Sequence, residues 1–268
     1  MANRTTNAKS KMEFNKVLLL MLILIVLFII YVPIFLLILF SFSEGRFQVF
    51  PITGYTLKWY AQMFADPSFV KSLGNSLILA GSTSVTATII GFFGAYSALR
   101  SNMKFKNIFS SSMLLPLAIP YILLGVALRI YFFNLKVPLS LFTVYLGHLT
   151  FTIPLAFLTI RARIAQIPMT YEEAAWDLGA SRLVTLKEIV LPLSFPGIIA
   201  SLLLTFTFAF DEFIIAYFLT RFEMTLPIKI WSTLITGFDP RVNAVGTMVF
   251  LITLIIVFLA QKNAFDQV

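Results

Sequence analysis

Two adjacent carboxylates interrupt an apolar stretch in the last third of the chain. Asp211 and Glu212 stand between uncharged runs at residues 189–210 and 213–220. A charge near mid-bilayer costs at least about 2.5–3.5 kcal/mol on insertion scales, so such residues usually face the interior of a helix bundle or a water path. The chemistry that the pair offers is therefore transient attraction of a cationic solute, or a buried ion pair.

The two carboxylates cannot both serve such a path. Successive residues of a helix point about 100° apart, so only one of the pair can face a path squarely. We expect this residue to be Asp211, because it shares a helical stripe with Thr207, and we expect Glu212 to pair or to lie near the outer interface. The alternative for Asp211 is a buried ion pair with a Lys or Arg of this chain or of a partner subunit.

Four other residues in or between the apolar runs are candidates for a buried hydrogen bond or for the lining of a path. His148 is the single histidine, and we predict a structural, hydrogen-bonded role for it, since a proton relay needs titratable partners that the inner spans lack. Tyr121, Phe132 and Asn134 are candidates to line the outer part of a path. Their alternative is to face lipid, which is the stronger interpretation for the phenylalanine.

Several kinds of chemistry are excluded by residues that the sequence lacks. The absence of cysteine excludes disulfides, thiol catalysis and thiolate metal sites, and a single histidine excludes a His-rich metal cluster. No Gly-x4-Gly-Lys-Ser/Thr segment occurs, so we do not expect this chain to bind ATP through a P-loop. No catalytic constellation lies in a water-accessible loop either. We therefore expect a chain that is not an enzyme and that binds no cofactor itself.

The loop from Arg161 to Glu188 contains a predicted short helix at about residues 170–180. Thr170 can act as its N-cap, with Glu173 three residues on closing a capping box. Acidic residues fall in the first turn, where they favour the positive end of the helix dipole. Gly179 can end the helix in the left-handed conformation.

The same loop carries a pattern of seven fixed positions over 20 residues. Glu173-Ala174-Ala175 is followed after three residues by Gly179, after nine more by Ile189, and then by Leu191-Pro192. This spacing resembles the EAA motif of ABC importer permease subunits, E-A-A-x3-G-x9-I-x-L-P, at every fixed position.

The resemblance implies that this loop contains the coupling helix, which docks in a groove of the ATP-binding subunit. The residues that it assigns to ATPase coupling are Glu172, Glu173, Ala174, Ala175, Asp177 and Gly179. The alternative is a helix that lies flat on the membrane. An acidic first turn disfavours that alternative, because an anionic leaflet would repel it.

The composition indicates that lipid is the solvent around the elements that carry these residues. Of the 268 residues, 59% are hydrophobic and 12% are charged, whereas soluble domains carry roughly 25% charged residues. The net charge of +8 fits loops that meet anionic lipid, because no basic cluster interleaved with aromatics occurs in a polar segment. We therefore expect membrane lipid, and no nucleic acid, as a partner.

Uncharged runs long enough to cross a bilayer predict an all-α integral membrane protein with six transmembrane helices. The fifth run is the one that the carboxylate pair interrupts. The predicted spans are residues 17–43, 72–99, 107–128, 137–160, 189–220 and 242–261. They form a single transmembrane domain at residues 17–261, with tails at 1–16 and 262–268. Two shorter amphipathic stretches, Leu57–Phe64 and Leu226–Leu234, are predicted between spans.

The basic residues predict the orientation of the spans. With six spans both tails lie on one side, which holds 12 of the Lys and Arg residues against 8 on the other. The excess predicts that both termini lie on the cytoplasmic side of a bacterial inner membrane. The loop with the EAA-like segment then also lies on the cytoplasmic side.

Six spans with this loop are similar to the type I ABC importer permease fold, and flanking segments resemble the spermidine/putrescine branch of that family. They include Lys58-Trp59-Tyr60, Asn75-Ser76-Leu77 and Leu226-Pro227-Ile228-Lys229-Ile230. The resemblance implies a permease that forms half of an import pathway for a polyamine or a related cationic amine. Importers of iron, thiamine, phosphonates or opines share several of these segments and remain alternatives.

The resemblance also implies the partners of the chain. They are a homologous second permease subunit, two ATP-binding subunits that carry ATP and Mg, and a periplasmic or lipid-anchored solute-binding protein. A different transport class, an ion-coupled secondary transporter, would need an inverted repeat and coupling-ion ligands at broken helices. The sequence has neither feature.

Overall fold

The computed structural model describes residues 2–101 and 104–265, with side chains at 15–101 and 104–254. The basic side chains Arg4, Lys9, Lys11 and Lys262, which contribute to the predicted orientation, lie outside the described side chains. The last three residues of the predicted C-terminal tail lie outside the described residues altogether.

The described chain is helical throughout, apart from loops and one isolated antiparallel bridge between Ser43 and Tyr55. A 3₁₀ turn (Leu115–Ala118) follows α4, and a π-helical turn (Leu186–Val190) joins α8 to α9. The α-helices are α1 (Ala2–Ser41), α2 (Lys58–Ala65), α3 (Pro67–Arg100), α4 (Lys106–Leu114), α5 (Tyr121–Asn134), α6 (Leu141–Ile164), α7 (Thr170–Asp177), α8 (Arg182–Thr185), α9 (Leu191–Asp211), α10 (Ile214–Leu219), α11 (Leu226–Thr236) and α12 (Arg241–Phe265). The predicted all-α class is confirmed.

Four described helical segments are long and apolar enough to cross a bilayer: Asn15–Ser41, Pro67–Arg100, Leu141–Ile164 and Arg182–Asp211. A bent pair, Lys106–Ala118 with Tyr121–Asn134, adds a fifth apolar segment, and its two arms meet at 99°. The described part of the last span, Arg241–Leu254, is a shorter apolar helix. The count of six spans therefore stays a prediction.

The third apolar run differs from the single span predicted at residues 107–128. Ile119 has an extended backbone (φ −88°, ψ 125°), and α5 starts after Pro120. Proline lacks a backbone N–H and disfavours helical geometry in the residue before it. The run is therefore broken there, and the helical segment continues to Asn134.

Residues 67–232 form one compact unit, which we call the helical core, in which α3, α6 and α9 pack on one another. One apolar cluster includes the buried side chains of Phe151, Ile215 and Leu219. A second includes Phe157 and Ile160. The packing of these helices positions the loop that contains α7. It also positions the junction between α9 and α10.

Gly91 marks the closest approach of α3 and α6. A Cβ atom built on Gly91 would lie 2.6 Å from Cβ of Ala156 and 2.8 Å from the backbone nitrogen of Phe157. Both distances are too short for real Cβ contacts. The two helices therefore cross with their backbones in near contact, which only glycine permits at this position.

Residues 2–66 and 233–265 form the second unit, the flanking unit. Within it α1 and α12 pack together, and Leu37 contacts the helix surface at Gly246. The indole of Trp59 donates a hydrogen bond of 2.7 Å to the carbonyl of Ser43. The side chains of α1 from Val17 to Tyr31 are exposed, as expected for a helix that faces lipid.

Candidate coupling and pathway sites

The N-cap of α7, the helix in the loop after α6, lies one residue earlier than the sequence predicts. Met169 is its N-cap and Thr170 its first helical residue, and the cap makes no side-chain hydrogen bond. The backbone N–H groups of Glu172 and Glu173 both donate to the carbonyl of Met169. The N–H of Glu173, which a capping box would donate to the Thr170 hydroxyl, is thus bonded to Met169, so the predicted capping box is wrong.

The C-terminal end of α7 forms as predicted. Gly179 has φ +87°, in the left-handed region. Its N–H donates to the carbonyl of Trp176, and the N–H of Ala180 donates to the carbonyl of Ala175, both at 2.9 Å. These two bonds are a Schellman motif, which satisfies carbonyls that the helix end would leave unpaired.

The residues assigned to ATPase coupling divide between two faces of α7. Glu172 is fully buried, whereas Glu173, Ala174, Asp177 and Gly179 are exposed, and Ala175 is half-buried. The carboxylate of Glu172 contacts Arg100, at the end of α3. Glu172 therefore faces the helical core, and the other residues leave an acidic, open face toward solvent.

Three apolar side chains that sequence reasoning missed extend this open face. Tyr171, Leu178 and Leu183 are 55%, 90% and 78% exposed in and around α7. Large apolar residues exposed beside acids are typical of a surface that another protein covers. The available sequence signal was their apolar character inside a solvent-side loop.

The membrane carboxylates also separate, because the fifth run breaks between them. Asp211 is the last residue of α9, and its side chain is exposed. Glu212 is buried and has an extended backbone (ψ 121°), and its carboxylate accepts hydrogen bonds from the N–H groups of Ile215 (2.8 Å) and Ala216 (3.0 Å). It thereby caps α10.

His148 completes the environment of Glu212. Its Nε2 lies 3.1 Å from Oε2 of Glu212, and both side chains are almost completely buried. The ring of His148 meets Phe151 edge-on at 5.7 Å. The predictions that His148 is hydrogen-bonded and that Glu212 is paired are thus confirmed.

The other pathway candidates lie in three different environments. Thr207 is exposed one turn before Asp211 on α9 and donates to the carbonyl of Leu203 at 2.9 Å. Tyr121 packs against Phe151 with the ring centroids 5.0 Å apart and the planes tilted by 36°, and it is half-buried in the core. Asn134 is exposed at the opposite end of α5 from Tyr121.

Phe132 is buried, so it neither lines a path nor faces lipid in the described chain. A cavity of about 860 Å³ lies near it on the other side of α5, with Arg129 and Arg221 in its wall. A smaller cavity of about 540 Å³ includes Asn134 and Lys136. Among the described residues, no group of His, Asp and Glu side chains is arranged to hold a metal ion.

Helices apolar and long enough to span a membrane, a buried polar junction and an acidic helix on a loop are together typical of a membrane transport subunit. Residues 87–266 match the model of the family described as binding-protein-dependent transport system inner membrane component. The chain belongs to this family. It is a multi-pass inner-membrane permease subunit of an ABC importer, and it is non-catalytic.

Relatives with established names support this assignment. The chain is 32% identical over 238 residues to the spermidine/putrescine transport system permease protein PotC of Escherichia coli (strain K12), covering 88% of this chain and 89% of the relative. It is 29% identical over 236 residues to the putrescine transport system permease protein PotI of the same strain, covering 85% and 84%.

A solved structure shares the fold. A chain of the bacterial alginate ABC transporter, in complex with an alginate pentasaccharide-bound periplasmic protein, superposes with a TM-score of 0.71 at 15% identity, covering 94% of each chain. This likeness confirms the predicted importer-permease fold.

Proposed function

We propose that this permease imports a polyamine, such as spermidine or putrescine, or a related cationic amine. The observation that carries the proposal is Asp211, an exposed carboxylate at the end of the apolar helix α9, for which the described residues provide no ion-pair partner. An unpaired anion at membrane depth is costly unless it faces water or a cation. Two relatives named for polyamine transport support the same substrate class.

The proposed transport cycle uses this chain as half of a pathway. A periplasmic or lipid-anchored binding protein delivers the solute, and a homologous second permease completes the path. Two ATP-binding subunits hold ATP and Mg and dock on the open face of α7. Their closure would move α7 and turn the bundle outward, after which the solute enters and passes Asp211 and Thr207. Both termini would lie in the cytoplasm, on the side of α7.

A second candidate is an anionic solute such as a phosphonate or an opine. The cavity of about 860 Å³ favours it, because Arg129 and Arg221 stand in its wall and carry positive charge. Guanidinium groups bind phosphonates and carboxylates well and repel ammonium groups. The two candidates therefore predict opposite charges for the solute.

Transport assays on the complete importer separate these candidates. The importer would be reconstituted in proteoliposomes with ATP inside and its own binding protein outside, with radiolabelled spermidine as the probe. We expect ATP-dependent spermidine uptake that unlabelled putrescine inhibits and 2-aminoethylphosphonate does not. A matched importer with catalytically inactive ATPase subunits is the control. Uptake of labelled phosphonate without spermidine uptake would contradict the proposed substrate.

A further inference from the structure

The buried carboxylate of Glu172 ties α7 to the end of α3. Nε of Arg100 lies 2.5 Å from Oε1 of Glu172, and the hydroxyl of Tyr96 donates to Oε2 at 3.2 Å. Arg100 and Tyr96 both belong to the cytoplasmic end of α3. The side chain of Glu172 is completely buried and that of Arg100 is 11% exposed, so water competes little for this ion pair.

Arg100 also connects to the chain that follows α6. Its Nη2 donates to the carbonyl of Ile167 at 2.7 Å, in the turn between α6 and α7. One guanidinium group therefore joins α3, the chain leaving α6, and α7. Hydrogen bonds that involve a charged group are shorter and stronger than neutral ones, so this group is a firm link between the three segments.

The link lies in a rigid part of the helical core. The ends of α3 and α6 bury Ala98, Ile160 and Ile164 in one apolar cluster. Farther along the same helix pair, Gly91 and Ala156 hold the backbones in near contact. Closely packed helices move together rather than deform, so a force applied to Glu172 reaches both α3 and α6.

We propose that Arg100 and Tyr96 are positioning residues of the coupling step, which act through Glu172 to transmit movement of α7 to α3 and α6. The proposal rests on the proposed docking of ATP-binding subunits on α7. It assigns Glu172 a different role from that of Glu173. Glu173 lies on the open face that a partner can contact, whereas Glu172 connects that face to the membrane helices. Neither Arg100 nor Tyr96 belongs to the loop that contains the EAA-like segment.

The test measures coupling for each assembled complex rather than for each cell. The complete importer would be purified with Glu172→Gln, Arg100→Lys or Tyr96→Phe. ATP hydrolysis would be measured with and without the importer's own binding protein, loaded with its native solute, and normalised to the amount of complex. Lys104→Gln is the matched control, because Lys104 is an exposed cation four residues beyond Arg100.

We expect Glu172→Gln to assemble, while stimulation of ATP hydrolysis by the binding protein falls about tenfold, as for loss of one hydrogen bond to a charged group. Tyr96→Phe keeps the ring and removes one hydrogen bond to the carboxylate; because that bond is long (3.2 Å), stimulation should fall only about threefold. Arg100→Lys should fall between them, because an ammonium can pair with Glu172 but lacks the fork that also reaches Ile167. Lys104→Gln should match the wild type.

Two results would overturn the proposal. If the loss of stimulated ATP hydrolysis simply follows the amount of complex recovered, the cluster has only a structural role. Unchanged stimulation in all three variants would show that the link carries no movement. A separate variant tests whether the ATP-binding subunits dock on α7 at all. If they do not, Glu173→Lys would leave these subunits bound and uptake unchanged. If Glu172→Gln fails to accumulate, two other variants test the proposal. They are Tyr96→Phe and the charge-swapped double variant Arg100→Glu/Glu172→Arg.

Discussion

Glu212 and His148 form a buried hydrogen-bonded pair, 3.1 Å apart, at the point where the fifth apolar segment divides into two helices. The same carboxylate accepts two backbone N–H groups from the first turn of α10. A carboxylate at a helix N-terminus satisfies donors that have no partner within the helix and favours its dipole. The helix break is therefore a stabilised feature, and it leaves Asp211 as the exposed end of α9.

Replacement of Glu212 should destabilise the permease. Glu212→Ala leaves the N–H groups of Ile215 and Ala216 without partners, and each buried unsatisfied group costs about 1–3 kcal/mol. We expect a lower Tm in detergent, by about 2–4 °C for each kcal/mol in a chain of this size. Glu212→Gln should lose less, because its amide oxygen still accepts a hydrogen bond. Asp211→Ala is the matched control and should leave Tm unchanged; equal losses at both positions would contradict the assignment.

Asp211 should matter for transport more than for assembly. Asp211→Asn keeps the side-chain volume and removes the charge that we propose attracts an ammonium group, so uptake of labelled spermidine should fall at least about tenfold, by analogy with loss of a hydrogen bond to a charged group. The amount of complex should stay at the wild-type level. Asp211→Glu, which keeps the charge, is the control. Depletion of the complex would instead indicate a structural ion pair with a partner subunit, since an orphaned buried charge costs about 3–5 kcal/mol.

Glu173 should be required for docking of the ATP-binding subunit while the permease itself still inserts. Glu173→Lys reverses a charge on the exposed face of α7 without touching a membrane helix, so we expect loss of uptake and weaker co-purification of the ATPase. Glu188→Lys reverses an exposed charge later in the same loop and is the matched control. Wild-type co-purification together with persistent uptake in the Glu173 variant would show that the coupling assignment is wrong.

Gly179→Pro should give the same loss of uptake through the backbone. Gly179 has φ +87°, and the proline ring holds φ near −65°, so the Schellman end of α7 cannot form. Gly179→Ala is the milder companion variant, with a cost of about 1–2 kcal/mol for a left-handed residue with a Cβ. Co-purification of the ATP-binding subunit and uptake are the measurements. Full activity in the proline variant would show that the end of α7 has no part in coupling.

The features that local sequence patterns determine could be predicted. The left-handed Gly179 and the helix around Glu173 follow from residue spacing and glycine conformation, whereas the helix break between Asp211 and Glu212 had no counterpart in the single span predicted at residues 189–220. The importer-permease class also followed, because the EAA-like segment is a pattern within a single loop. Each of these features depends on residues that lie close together in the chain.

The features that depend on distant partners could not be predicted. Nothing near Glu172 in the sequence indicates that its charge is met by Arg100, 72 residues earlier. For the same reason Glu172 was grouped with the exposed residues of α7. The sequence predicts that Glu212 pairs with another residue, but it does not identify His148, 64 residues away, as the partner. The bend at Pro120 had a local signal, but an uncharged run of sufficient length suggested one straight helix.

The carboxylate of Asp239, just before α12, should contribute a small, pH-dependent stabilisation to the flanking unit. Burial raises the pKa of Asp239, but hydrogen bonds and charge from Arg241 outweigh it and hold that pKa below its ordinary value of 3.8. Nη2 of Arg241 lies 2.6 Å from Asp239. A carboxyl whose pKa is lowered on folding stabilises the folded state above its unfolded pKa and loses this effect as the pH falls through the folded value.

Asp239→Asn should therefore lower Tm slightly at pH 7. Partly exposed pairs contribute about 0.2–1 kcal/mol, which corresponds to roughly 1–4 °C here. The difference between wild type and variant should stay constant down to about pH 5 and shrink below pH 3.8, where the unfolded and then the folded carboxyl are protonated. Thermal unfolding across this range is the measurement. A difference that persists unchanged at pH 3 would contradict the assignment to this ion pair.

Two glycines of α3 should respond in opposite ways to the same substitution. In Gly91→Ala, the new Cβ would meet Cβ of Ala156 at 2.6 Å and the backbone of Phe157 at 2.8 Å, so α3 and α6 must move apart. Overpacking of this kind costs about 1–3 kcal/mol, and we expect a lower Tm and less folded permease. In Gly81→Ala the new Cβ meets open space, and alanine favours a helix over glycine by about 1 kcal/mol, so Tm should rise or stay the same. Both variants carry the same chemical change in the same helix, so their difference isolates the contact with α6. Equal effects of the two substitutions on thermal unfolding would show that the close crossing at Gly91 contributes nothing to stability.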